Sequence, residues 1–115
     1  MKVSLFGDFQ NEGVLQLEQT LRMRGVEVER VDNPSTVRGI CLVCFSSSEG
    51  FQSQDFSLSI LGRKWKGENI ALFPILFQGG QIPYLLSDFR PVDLRKKEDE
   101  EDQMDLLMRS IKARS

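Results

Sequence analysis

The stretch ICLVCF, residues 40–45, is apolar without interruption. Successive side chains of a strand point to opposite faces, so an unbroken apolar run says that both faces are covered. Inner strands of a parallel sheet look like this. Upstream, VEVERV (residues 26–31) carries the β-branched Val26, Val28 and Val31 with acidic residues between them. That pattern reads as an edge strand with one wet face. One inner strand and one edge strand are thereby placed, and the rest of the chain has to supply their neighbours.

Working outward, KVSLFGDF (residues 2–9) opens as a strand and breaks at Gly7-Asp8. Asn11 can cap a helix with Val14, Leu17 and Leu21 on one face, and Gly25 stands where a helix end wants a left-handed residue. NPSTVRG is a turn by composition. After ICLVCF comes the polar loop SSSEGFQSQ, in which Ser53 can cap a helix bearing Phe56 and Ile60; KWKGEN ends that helix. Ala71 to Phe77 is the next strand and Arg90 to Leu94 a last short one. The closing helix shows Met104, Leu107, Met108 and Ile111 on one stripe, and the acidic run Glu98 to Asp102 favours the dipole at its start.

Strands alternating with helices predict a flavodoxin-like three-layer α/β domain over residues 1–115. Its sheet is expected to be five-stranded and parallel, in order 2-1-3-4-5, with helices on both faces. Pro74 strains this, because a proline inside a strand removes a ladder donor and belongs at an edge. The link between the second and third strands is also short. Seven extended residues, Asn33 to Gly39, reach about 24 Å, enough to cross but not to hold a helix. A turn is expected there.

A chain of 115 residues and 13.2 kDa holds one core. A net charge of -2 gives no reason to expect nucleic acid or an anionic membrane as partner. No apolar run approaches a membrane span and the N-terminus lacks a signal-peptide layout, so a soluble cytoplasmic domain is expected. With no histidine in the chain, imidazole catalysis and His metal sites are excluded, and no metal site is expected. FGDFQNEG is neither a Walker nor a Rossmann fingerprint. A response-regulator receiver shares this fold but needs an aspartate closing the third strand, where Phe45 and Ser46 stand. Cys41 and Cys44 spell C-x-x-C within a strand, where residues three apart face opposite ways, so both are expected in the core rather than in redox chemistry. Trp65 and the phenylalanines are expected in the core or in helix packing.

Taken together, CLVCFSSSEGFQSQDF, IALFPILFQGGQIPYLL and RPVDLRK resemble the Toll/interleukin-1 receptor (TIR) domain family. Ala71 to Leu76 match its fourth strand with the proline included, Ile82-Pro83 its connector, and Pro91 to Leu94 its last strand. The segment LRMRGVEV adds weaker support. Members that cleave NAD carry a glutamate on the third helix, and Ser59, or Ile60 if the alignment slips by one, falls at that place here. The loop that members use for self-association is cut to DNPST, keeping Pro34. The resemblance therefore implies a trimmed TIR domain without its catalytic group: a non-enzymatic interaction module in immune or stress signalling.

On that reading no cofactor is expected. The partners are proteins, other TIR-like domains or a second copy among them, and the contact residues are Pro34, Ile82, Pro83 and Tyr84. The alternative is an NAD glycohydrolase or cyclase with Glu49 as relocated acid. NAD would then be the substrate, held by Gly7, Asp8, Phe9, Asn33, Ser46 and Ser48 in the crevice at the strand ends.

Overall fold

In the computed structural model, which describes residues 1–47 and 51–114, ICLVCF becomes most of β3 (Gly39–Phe45), with every side chain from Ile40 to Phe45 buried. On one side it pairs with β1 (Lys2–Phe6), Leu5 facing Leu42, and on the other with β4 (Ile70–Leu76), Val43 facing Pro74. The alternating segment forms β2 (Glu27–Arg30) at one edge, and β5 (Val92–Asp93) closes the other. The sheet is parallel and five-stranded, in order β2-β1-β3-β4-β5, as expected.

Its two faces carry unequal cover. On one, α1 (Glu12–Met23) and α3 (Glu100–Arg114) bury Leu17, Leu21, Leu107 and Ile111 against Leu5, Leu42 and Ile75. On the other, α2 (Gln52–Trp65) alone brings Phe56 and Ile60 down on Cys41, Val43 and Leu72. Cys44 belongs to the first face and Cys41 to the second; neither is in a disulfide, and burial pushes the Cys41 thiol up to about 12. The predicted cap of α1 forms: Asn11 Oδ1 accepts from the N–H groups of Gly13 and Val14 at 2.9 and 3.3 Å. Ser53 does not cap α2. It lies inside the first turn, and its hydroxyl donates to the Cys44 carbonyl at 2.6 Å, tying the helix to β3. Trp65 is not in the core; at the last turn of α2 it is 75% exposed, while its neighbour Lys64 reaches the Ile70 carbonyl at 2.9 Å.

Pro74 sits inside β4 for a geometric reason. Leu76 accepts at its carbonyl from Leu94 N–H, whereas Phe77 N–H donates to the Phe45 carbonyl. Backbone groups alternate in direction along a strand, so the Pro74 nitrogen faces the β5 side. There, pairing begins only at Ile75 with Val92, and no ladder bond is lost. The last strand is shorter than the predicted Arg90 to Leu94. The Asp93 carboxylate accepts from Arg95 N–H at 3.0 Å and from its guanidinium at 2.7 Å, which bends the chain away.

Between β2 and β3 the chain makes one 3₁₀ turn, Pro34–Thr36, as the short link required. Asn33 Oδ1 accepts from Ser35 N–H at 3.0 Å to start it. Arg63 on α2 fastens it, donating to the carbonyls of Pro34 and Val37 at 2.6 and 2.9 Å while pairing with Glu68 at 2.7 Å. With no helix in this crossover, Glu27 and Glu29 of β2 stand exposed on the α2 side of the sheet, while Ser4 of β1 is buried on that side. None of the described helices is long and apolar enough to cross a membrane.

Candidate functional site

An open parallel sheet offers its crevice at the carboxyl ends of the strands, where the order reverses. Here that is the space above β1 and β3. Much of it is taken up by packing. A side chain at Gly7 would put its Cβ 2.8 Å from Cys44 Cβ, so β1 and β3 close tightly at this point. Asp8 accepts from Gln10 N–H at 3.0 Å, and Phe9 lies under the Arg30 guanidinium, 4.4 Å from the ring centre. Asn33 is spent on its turn, and Ser46 is buried. Ser48 and Glu49 lie outside the described residues. The residues predicted to hold a nucleotide thus do local structural work, and the described ones are not gathered round one cavity.

Two clefts flank the crevice. The smaller, about 240 Å³, is lined by Ser46, Ser47, Phe51, Gly79, Gln81 and Pro83. Gly79 has φ +82°, and the turn after β4 passes so close over the Phe45 carbonyl that position 80 has no room for a Cβ. The predicted contact residues Ile82, Pro83 and Tyr84 belong to the connector beside this cleft. Ile82 packs on the α2-side core and Leu86 is buried, while Tyr84 is 89% and Leu85 54% exposed. Phe51, at the start of α2, is 78% exposed, against the expectation of the core or helix packing. It sits where the chain enters α2, ahead of the face that Phe56 and Ile60 bury.

The larger cleft, about 390 Å³, holds Pro34, the remaining predicted contact residue, together with Phe6, Asp32, Asp55, Phe56 and Ser59. Phe6 and Phe56 stack with ring centres 4.1 Å apart and planes 13° from parallel. Asp32 and Asp55 are exposed at the rim, on β2's exit and on the first turn of α2. Among the described residues neither carboxylate forms an ion pair, and no group of three possible ligands gathers round a metal-sized space. Asp55 went unnoticed in the sequence. Its signal was its place four residues before Ser59, one turn away on the same helix face.

No protein-family model matches the chain, and no curated protein matches it. A solved structure of a response regulator receiver domain protein (CheY-like) from Methanospirillum hungatei JF-1 is similar to it. The TM-score is 0.62 at 16% sequence identity, with 97% of each chain covered. That overturns the TIR resemblance, and with it the immune-signalling module and the NAD glycohydrolase that it implied. The motifs behind the resemblance lie in β3, β4, β5 and the segments that follow them, elements that belong to this sheet order itself. Pro74, its most specific element, is accounted for by the short β5 alone. Two unpaired carboxylates at the rim of the larger cleft also oppose a phosphate-bearing ligand. What the chain shares with the receiver domain is the fold.

Proposed function

We propose that the chain is a signalling domain on the receiver fold that takes no phosphoryl group and acts by binding another protein. The observation that carries this reading is the end of β3. A receiver needs an acceptor aspartate there, and this strand closes on Phe45 with the buried Ser46 behind it. A serine hydroxyl is a weak nucleophile without a neighbouring base, and the chain has no histidine to act as one. In this reading the domain carries no cofactor.

Support for a binding role comes from the rim of the smaller cleft. Phe51 and Pro83 line it, and Tyr84 follows Pro83 with most of its ring in water. Exposed aromatic groups gathered around a concave surface are how protein interfaces are anchored. The test is incubation with Mg²⁺ and a small acyl phosphate, followed by intact mass measurement. The expected result is no covalent phosphoryl adduct. An adduct lost in Asp8→Asn or Asp32→Asn would show that a carboxylate of this edge accepts phosphate and would overturn the proposal.

A further inference from the structure

We propose that the larger cleft, between the β2–β3 turn and α2, is a seat for an arginine side chain presented by a partner protein. It rests on the reading of the chain as a binding module, but not on the connector surface. The cleft exists because the crossover is a single 3₁₀ turn where such a fold has space for a helix. Arg63 holds that turn against α2 and so fixes Pro34 as one wall. Phe56 covers one face of the half-buried Phe6, whose ring still lines the cleft. Asp32 and Asp55 stand at the rim, with Ser59 beside them as a neutral hydrogen-bonding group.

Arginine matches this combination better than other side chains. Its guanidinium is planar, stacks on aromatic rings and donates in a fork to carboxylates. A lysine ammonium can pair with one carboxylate but cannot stack. The surroundings favour a cation as well. Val26 and Val28 are buried on the α1 side, so Glu27 and Glu29 turn to the α2 side of β2, where both are exposed. There Lys2 is paired with Glu29 at 3.0 Å. With Asp32 and Asp55, this side of β2 and the cleft hold more acid than base.

The experiment titrates a short capped peptide with one central arginine into isotope-labelled full chain, following backbone amide shifts. Lysine and citrulline versions run in parallel. Saturable shifts are expected at Phe6, Asp32, Asp55, Phe56 and Ser59. Affinity should fall by about tenfold or more with lysine and in Asp32→Asn/Asp55→Asn, and citrulline should not bind. Spectra of the variant should superpose on the parent outside the cleft. The proposal is overturned if no saturable shift appears, if shifts persist in the double variant, or if they map to the acidic run at residues 98–102. It is also overturned if the protein alone shows concentration-dependent shifts at these residues, since the occupant is then a second copy. A phosphoryl adduct would overturn the parent reading alone, and a failed titration would overturn the arginine seat alone.

Discussion

Glu18 lies on the inner side of α1 with two nitrogens of Arg30 at 2.6 and 2.7 Å and one of Arg22 at 3.7 Å. The hydrogen bonds from Arg30 hold its carboxyl below the usual carboxylate range, against the opposing effect of burial. A depressed folded-state pKa adds stability that is present above the unfolded value and lost as pH falls through the folded one. Glu18→Gln should therefore lower the urea midpoint at pH 7, with parent and variant converging below the ordinary carboxylate pKa. A gap that stays constant into acid would mean that packing, not charge, sets the difference. Tyr84 behaves in the opposite way, having most of its ring in water. Tyr84→Ala is expected to leave stability within about 1 kcal/mol of the parent by chemical denaturation, while weakening partner association. Unfolding on this change would put the ring in the core.

The β2–β3 connector is fastened to α2 by the Arg63 side chain. Arg63 gives the Pro34 and Val37 carbonyls their shortest hydrogen bonds, at 2.6 and 2.9 Å, and the Val37 side chain is fully buried. Arg63→Ala leaves the Pro34 and Val37 carbonyls only their longer bonds, from Val37 N–H and Arg38, each at 3.4 Å, and should cost about 1–3 kcal/mol, read from the denaturation midpoint. Arg63→Lys should restore only part, since an ammonium lacks the fork. The absence of a helix here was legible beforehand, because chain reach is arithmetic and the link is short. The central strands were equally legible, since unbroken apolarity in ICLVCF has few other meanings. Helix α2 was less so. Its start looked capped by Ser53, but that hydroxyl was needed by the Cys44 carbonyl, a tertiary contact that local pattern does not encode. The site was harder still. Asp32 and Asp55 come together only because the connector folds toward α2, and the family resemblance drew attention to short motifs that follow from the sheet itself.

At the scale of the whole molecule, one face is covered by two helices and the other by one, with a cysteine under each. A face held by a single helix should open at lower free energy than the whole domain. Under native conditions Cys41 should then react with a thiol reagent faster than Cys44, by about fivefold if its opening is about 1 kcal/mol cheaper. Mass mapping of the labelled sites measures this, and equal rates would mean a single cooperative opening. The outer edge of the sheet has a further bearing on behaviour at high concentration. For most of its length β4 has no neighbour on the β5 side, and such an edge is a template for other chains. Here the Lys64 ammonium occupies the Ile70 carbonyl at 2.9 Å, and Pro74 has no N–H to offer. The proline that looked misplaced in an inner strand therefore acts as a guard against edge-to-edge aggregation. Pro74→Val combined with Lys64→Ala should raise light scattering on concentration at unchanged secondary structure. If the double variant stays monodisperse, the edge is protected by the flanking Phe89 and Arg90 instead.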